Sequence, residues 1–175
     1  AMLSALRGFV FKRIVAGALV AGGLCFYDPA DAQTGQQMDW CENKGNSVLH
    51  DLRINGCTAS IQSGQWSGRE LAGAFVNRCW AYNDHGQPDR AIADCDQAIQ
   101  LNPQSAIAFY HRGISYGAKS QYDRAIQDYD QAIRLNPQFT AAFNNRGFAY
   151  YNKRQYDRAI QDYDQAIRLD TNNVR

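Results

Sequence analysis

Hydrophobic residues in the second half of the chain recur at steps of three and four positions, which is the spacing of one face of an α-helix. Within residues 121–135, the residues at this spacing are Tyr122, Ala125, Ile126, Tyr129, Ala132 and Ile133. The pair Asn136-Pro137 ends this helix, because the residue before a proline avoids the helical region. An earlier helix has one face formed by Phe109, Gly113 and Tyr116. With a turn at residues 117–120, the pattern predicts a helical hairpin.

The hairpin is repeated along the chain at intervals of 34 residues. Residues 121–135 and 155–169 have the same fifteen-residue sequence, QYDRAIQDYDQAIRL, and residues 87–101 are a looser copy of it. A fixed period of this length is typical of stacked-repeat proteins, in which each unit buries one face against the next. The sequence therefore predicts an all-α protein built from stacked hairpins.

The residues at fixed positions of each unit resemble the signature of the tetratricopeptide repeat (TPR) family, aromatic-x2-Leu-Gly-x2-Tyr, then Ala-x3-aromatic, then Pro. In the middle unit these positions hold Phe109, Arg112, Gly113, Tyr116, Ala125, Tyr129 and Pro137. In the last unit they hold Phe143, Arg146, Gly147, Tyr150, Ala159, Tyr163 and Thr171. In the first unit they hold Phe75, Arg78, Cys79, Tyr82, Ala91, Cys95 and Pro103. The resemblance implies a right-handed α-solenoid with three units in residues 69–175, at about 72–105, 106–139 and 140–173.

An arginine replaces the leucine of the family signature in every unit, and an aspartate recurs in the second helix. We interpret these residues as arginine–aspartate pairs between packed helices: Arg78, Arg112 and Arg146 with Asp94, Asp128 and Asp162. Solvated charges on an exposed face are the alternative. Pairs of acids also recur, and we interpret them as surface charge rather than as acid–base catalysts: Asp128/Asp130 and Asp162/Asp164.

Residues 1–32 have the organisation of an export signal. Three basic side chains precede an uncharged apolar run, residues 14–26, which is shorter than the roughly 20 residues of a membrane-spanning helix. We expect cleavage after Ala32 and export to the periplasm of a Gram-negative bacterium or secretion from the cell, with no membrane insertion of the mature chain. An uncleaved membrane anchor is the alternative.

Charge and histidine placement exclude several classes of function. Residues 33–175 carry 15 basic and 15 acidic side chains, and this balance argues against a nucleic-acid partner. His50 and His85 have no partner at metal-ligand or catalytic spacing, and no phosphate loop, nucleophile elbow or zinc-protease motif is present. We therefore expect no cofactor, no metal site and no catalytic activity.

Four cysteines follow the signal segment, in two pairs with a spacing of sixteen residues. Cys79 occupies the position that glycine has in the other units, and Cys95 occupies the position of a tyrosine. Because both members of one expected contact have changed together, we infer that the two side chains form a disulfide. Four free thiols or another pairing are the alternatives. A redox role would usually use a CxxC motif, which is absent.

Residues 33–68 are predicted to be a cap over the first unit. Residues 51–63 are similar in pattern to the second helix of a unit, so this segment is a degenerate half-repeat. We expect a bridge between Cys41 and Cys57 to hold the cap in place, since disulfides persist in exported proteins.

The family resemblance implies that the first helices of successive units line a concave groove, which binds a peptide or another protein. At the groove positions we expect a polar row suited to a peptide backbone, formed by Asn77, His111 and Asn145. Beside it we expect an apolar row formed by Trp80, Ile114 and Phe148. The remaining groove residues of the prediction are Tyr110, Asn144 and Tyr151. Some of these aromatic residues are expected to pack between units instead.

The type of partner is narrowed by the lack of basic residues at the groove positions. Some TPR domains hold an acidic C-terminus with lysine and arginine, but here those positions hold Val76, Trp80, Tyr110 and Ile114. We therefore expect a non-catalytic protein-interaction module that does not bind acidic chaperone tails.

The second helix of the last unit indicates an alternative function. Its second helix has the same sequence as that of the middle unit, so it keeps a surface suited to stacking. Self-association through this C-terminal repeat, as in a homodimer, is the alternative to groove binding.

Overall fold

The computed structural model describes residues 50–173, which fold into α-helices joined by short turns. Within these residues there is no strand, and the seven helices are α1 His50–Gln62, α2 Gly68–Asp84, α3 Pro88–Leu101, α4 Ala106–Ala118, α5 Tyr122–Leu135, α6 Thr140–Asn152 and α7 Tyr156–Asn173. The helices pack as successive hairpins, α2 with α3, α4 with α5 and α6 with α7, and each hairpin contacts the next. The predicted all-α solenoid is confirmed.

The three hairpins turn in the same way, although the residue in the turn differs. Gly86, Ser120 and Arg154 lie 34 residues apart and have φ values of 69°, 58° and 60°. A residue in this left-handed conformation ends the first helix and lets a following amide bond back into it. In the middle hairpin, the amide of Gln121 donates to the carbonyl oxygen of Tyr116 at 2.9 Å. The repeat therefore keeps this conformation even where the residue is not glycine.

Small residues set the close spacing of the two helices in each hairpin. Alanines at equivalent positions of the three units are almost fully buried: Ala91, Ala98, Ala125, Ala132, Ala159 and Ala166. Gly113 makes room for Tyr129, since a Cβ atom at Gly113 would lie 2.6 Å from Cε1 of the tyrosine ring. This approach is too close for any side chain larger than glycine unless the ring moves.

A disulfide takes the place of the glycine–tyrosine contact in the first hairpin. Cys79 and Cys95 are joined, with their Cα atoms 5.6 Å apart, and both are wholly buried, so the predicted bridge is confirmed. Cys57 is also wholly buried and disulfide-bonded. Its predicted partner, Cys41, and the export segment predicted at residues 1–32 lie outside the described residues. The Cys41–Cys57 pairing stays a prediction.

Arginine–aspartate pairs join the two helices of every hairpin, as predicted. Nε and Nη2 of Arg112 donate to the two carboxylate oxygens of Asp128 at 2.8 and 2.6 Å. The remaining nitrogen, Nη1, donates to Asp96 of the preceding hairpin at 2.6 Å. Equivalent bonds are made by Arg78 with Asp94 and Thr58, and by Arg146 with Asp162 and Asp130. Each arginine therefore closes its own hairpin and also fastens it to the element before.

Two of the acids interpreted as surface charge are buried, so that interpretation was wrong for them. Asp128 and Asp162 are each 5% exposed, because they lie between the two helices of their hairpins. Asp130 is half-buried and Asp164 is exposed. Residues two apart point to different sides of a helix, and this separates the buried acid of each pair from the other.

The first helix, α1, was predicted at residues 51–63 and packs against α2. Its Arg53 is buried, with the guanidinium carbon 4.3 Å from the ring centre of Trp80 and Nη1 3.2 Å from a carboxylate oxygen of Asp84. The predicted helix is confirmed, and it covers the N-terminal side of the first hairpin. Within residues 50–173, no helix combines the length and the apolar character needed to cross a membrane.

Candidate binding surface on the first helices

The first helices of the three hairpins lie next to one another. α4 contacts both α2 and α6, in addition to the second helices on which it packs. All the predicted groove residues belong to these three helices. We call the surface formed by residues 76–83, 106–117 and 141–151 the inner surface. The burial of each side chain on it decides which of them can touch a partner.

Trp80 on α2 is half-buried and has a neighbour on each side. The guanidinium of Arg53 lies over its ring, and the ring of His111 is stacked with it at a centroid distance of 6.1 Å. Nearby, Nδ2 of Asn83 donates to the carbonyl oxygen of His111 at 3.0 Å, and Oδ1 of Asn83 accepts from the hydroxyl of Ser115 at 2.7 Å. This part of the inner surface therefore joins the repeats to one another.

The predicted polar row is interrupted at its middle position. Asn77 is half-buried, and Nδ2 of Asn145 donates to the hydroxyl of Tyr110 at 3.1 Å. His111 is only 8% exposed, and within the described part of the chain its Nδ1 atom has no hydrogen-bond partner. The rings of Trp80 and Tyr110 flank it, the latter with a centroid distance of 5.2 Å. His111 therefore belongs to the packing between repeats and does not offer its ring to a peptide.

Burial of His111 makes the stability of the protein depend on pH. Burial lowers the pKa of His111 from 6.5 to about 4, and the charge of Asp84 offsets only part of this effect. The unfolded chain therefore binds this proton more tightly than the folded one does. We expect the free energy of unfolding to fall by up to roughly 3 kcal/mol as the pH drops from above the unfolded pKa to the folded pKa.

Urea unfolding at about pH 7.5 and about pH 5 measures this dependence. The variant His111→Asn has the residue found at the equivalent positions Asn77 and Asn145. In this variant, the part of the pH-dependent loss of stability that His111 causes should disappear. Equal loss of stability in the variant and the wild type between the two pH values would show that other groups cause it.

Tyr110 and Ile114 on α4 are half-buried parts of a core cluster. Both pack against the buried cluster that contains Tyr129, and the ring centre of Tyr110 lies 4.7 Å from that of Phe139. Some aromatic residues at groove positions therefore pack between the repeats, as expected from the sequence.

The exposed apolar side chains of the inner surface lie mainly on α6. Phe148 and Tyr151 are 58% and 55% exposed, and Asn144 is exposed on the same face of the helix. On α4, Ile107 is 48% exposed and was not predicted. Its spacing of seven residues from Ile114 places both on one face, and this was the signal that could have found it.

These exposed side chains determine which contacts the surface can make with a bound molecule. Their apolar groups offer contact area, and the amide of Asn144 can both donate to and accept from a polypeptide backbone. Within residues 50–173, no three side chains of the types His, Cys, Asp and Glu come together as possible metal ligands. The arrangement therefore suits the binding of another polypeptide.

Family models match the repeated part of the chain. A model of the tetratricopeptide repeat matches residues 72–105 and 140–173, and two further models of such repeats match residues 95–127 and 118–154. Together these matches extend without a gap from residue 72 to residue 173. Among curated protein sequences, none matches the chain.

Several solved structures have the same fold. MamA is 22% identical with a TM-score of 0.69, and the match covers 83% of this chain and 81% of MamA. YrrB, described as a TPR protein with an unusual peptide-binding site, is 18% identical with a TM-score of 0.65, over 81% and 69% of the two chains. The second TPR of Spaghetti (RPAP3), bound to the HSP90 peptide SRMEEVD, is 25% identical with a TM-score of 0.55, over 63% and 97%.

Proposed function

The chain belongs to the tetratricopeptide repeat family, and we propose that it binds a peptide or a segment of another protein on its inner surface. The observation that carries this proposal is the exposure of Phe148 and Tyr151 on neighbouring turns of α6. Exposed aromatic residues placed together in this way are typical of protein-binding surfaces. Two structures of the same fold support it, since Spaghetti holds an HSP90 peptide and YrrB is described with a peptide-binding site.

The partner that we infer is an uncharged segment with apolar or aromatic side chains. The peptide bound to Spaghetti, SRMEEVD, carries three acidic residues. In this chain the two lysines nearest the ends of α4 and α6, Lys119 and Lys153, are already paired with Asp89 and Asp123. An acidic peptide on the inner surface would lose hydration without gaining an opposite charge, so the surface discriminates against it.

We also propose that binding takes place without catalysis and in an oxidising compartment. The buried bridge between Cys79 and Cys95 supports this location, since structural disulfides are rare in the reducing cytosol. The export segment predicted at residues 1–32 would deliver the chain to the periplasm of a Gram-negative bacterium.

Selection of a random peptide library on the full chain should enrich apolar and aromatic residues, with no excess of acidic ones. The variant Phe148→Ala with Tyr151→Ala should then bind the selected peptides at least about tenfold more weakly, because truncating aromatic contacts at an interface often lowers the binding free energy by more than 1 kcal/mol each. Fluorescence anisotropy of labelled peptides measures the affinity.

A matched control changes two exposed polar side chains on the second helices, Gln97→Ala and Gln127→Ala. This control should bind the peptides like the wild type, and circular dichroism checks that both variants are folded. Enrichment of acidic peptides, or an affinity that the aromatic variant leaves unchanged, would refute the proposal.

A further inference from the structure

One apolar face of α7 is exposed to solvent, whereas the equivalent face of α5 is covered by α6. The two helices share the fourteen-residue sequence of residues 122–135 and 156–169, but α6 packs on α5 and no described helix follows α7. Ile126 of α5 is 8% exposed and lies in a cluster with Ala149 of α6. Its counterpart Ile160 is 57% exposed, and Ile167 and Tyr156 are 62% and 52% exposed.

Charged contacts accompany the apolar packing at each internal junction between hairpins. At the junction of α5 with α6, Asp130 accepts a hydrogen bond from Nη1 of Arg146 at 2.5 Å, and Asp123 is paired with Lys153. The junction of α3 with α4 repeats both contacts, through the pairs Asp96–Arg112 and Asp89–Lys119. A covering helix is therefore recognised by two carboxylates as well as by apolar residues.

The two equivalent carboxylates of α7 are Asp157 and Asp164. Both are exposed, and neither makes an ion pair with any residue that the structure describes. We call the surface formed by these two aspartates and the three apolar side chains the end face: Tyr156, Asp157, Ile160, Asp164 and Ile167. It has the apolar and acidic positions of an internal junction, and no helix within residues 50–173 covers them.

The helices that cover internal junctions have a common pattern. An arginine is followed by glycine, and a lysine comes seven residues after the arginine, as in Arg112/Lys119 and Arg146/Lys153. Only Nη1 of each arginine reaches the preceding hairpin, because Nε and Nη2 are held by an aspartate of its own hairpin. At both junctions the covering helix is the first helix of a hairpin, although its contact with the preceding hairpin uses only one nitrogen of the arginine.

We propose that the end face docks the first helix of a helical hairpin in another protein, one that carries an arginine and a lysine seven residues apart. The two cations pair with Asp164 and Asp157. A small residue between them packs on Ile160, as Ala149 does on Ile126. An aromatic residue before the arginine packs on Ile167, because Ile133 packs against the cluster of Phe143. This contact lies on α7 and is separate from the inner surface, so the chain joins two partners.

Two other occupants fit the end face less well. In a second copy of this chain, α4 and α6 already cover α3 and α5, and their arginines and lysines are already paired. The residues directly after the shared sequence do not turn back either. α5 ends at Leu135, whereas α7 continues beyond the equivalent Leu169 to Asn173, so the turn that brings α6 onto α5 has no counterpart there.

A stapled, fluorescein-labelled peptide with the sequence of residues 139–154 is the probe for this proposal. The staple joins positions 144 and 148, which are exposed and so lie away from α5 in the structure, and circular dichroism confirms that the peptide is helical before use. Saturable binding to the full chain is expected in anisotropy measurements. Ile160→Glu should weaken it at least about tenfold, because the new charge would lose hydration under the peptide.

Changes to the ion pair test whether the peptide lies in the expected register. Asp164→Asn should weaken binding about threefold, the size expected of an exposed ion pair, and Arg146→Gln in the peptide should do the same. Combining both changes should add no further loss, since each removes the same contact. Gln127→Glu, which adds a charge at an exposed position of α5, should leave the affinity unchanged.

Three results would overturn the proposal. The first is a helical peptide that does not bind, and the second is binding that Ile160→Glu leaves unchanged. The third is self-association through the end face: in light scattering, the mass rises with concentration for the wild type but not for Ile160→Glu, and the peptide does not inhibit this self-association. That last result would assign the end face to a second copy of the chain. None of these results bears on Phe148 and Tyr151, so the proposed function is tested separately.

Discussion

Replacing Arg112 by methionine should lower the free energy of unfolding by about 3–5 kcal/mol, the largest effect that we expect from any single substitution in this protein. Arg112 donates to both oxygens of Asp128, which is 5% exposed, and to Asp96 of the preceding hairpin. Methionine keeps most of the aliphatic volume but leaves the carboxylate of Asp128 buried without its counterion. Hydrogen bonding to Asp128 raises the pKa of Arg112 against the effect of burial, so the guanidinium is charged at any working pH.

Two further variants identify the cause of this loss, with urea unfolding as the measurement. Arg112→Lys keeps the charge but not the planar fork that binds two carboxylates at once, so it should recover only part of the lost stability. Arg112→Met together with Asp128→Leu removes both charges, and it should be more stable than Arg112→Met alone. A double variant no more stable than the single one would show that packing, and not an unpaired carboxylate, accounts for the loss.

Replacing Cys79 and Cys95 together by alanine should lower the free energy of unfolding by about 3 kcal/mol, the second largest effect that we expect. The two cysteines are sixteen residues apart, and without the bridge the unfolded chain regains the freedom of that loop. Both positions are wholly buried, so the missing sulfur atoms also leave unfilled space. Urea unfolding without a reducing agent measures the change, since the bond at Cys57 then stays intact.

The repeat itself supplies a matched control for this experiment. Cys79→Gly with Cys95→Tyr recreates the contact that Gly113 makes with Tyr129 in the next hairpin. This variant should be more stable than the double alanine variant, because the tyrosine ring buries apolar area where the glycine leaves room for it. A double alanine variant as stable as the wild type would mean that the bridge does not restrict the unfolded chain.

Most of the fold could be predicted because the period of 34 residues constrains helices and their contacts together. Helices α2 to α7 and the turns between them follow from the spacing of apolar residues and from the positions of proline and glycine. The same register predicted the bridge of the first hairpin, since Cys79 and Cys95 replace the two members of one contact, Gly113 and Tyr129. Equivalent positions of a repeat meet equivalent neighbours, so two cysteines at the positions of a contacting pair lie close enough to form a bridge.

The inner surface could be predicted only in part, because burial at equivalent positions differs. Asn77 and His111 occupy equivalent positions, yet His111 is buried since the rings of Trp80 and Tyr110 cover it. Ile107 lies seven residues before Ile114 on the same helix face, but its 48% exposure follows from how α4 packs and not from that spacing. Contacts between one unit and the next decide these differences, and no single unit contains them.

By itself the sequence determined the helical hairpins, their number within the matched region, and the residues that close each of them. The tertiary structure decided how far each apolar side chain is exposed to solvent. Ile126 and Ile160 stand in identical fifteen-residue sequences, yet one is 8% and the other 57% exposed. Helix formation and hairpin closure depend on contacts within about one repeat. The exposure of a side chain to solvent depends on whether another helix packs on it, and that helix lies outside the shared fifteen-residue sequence.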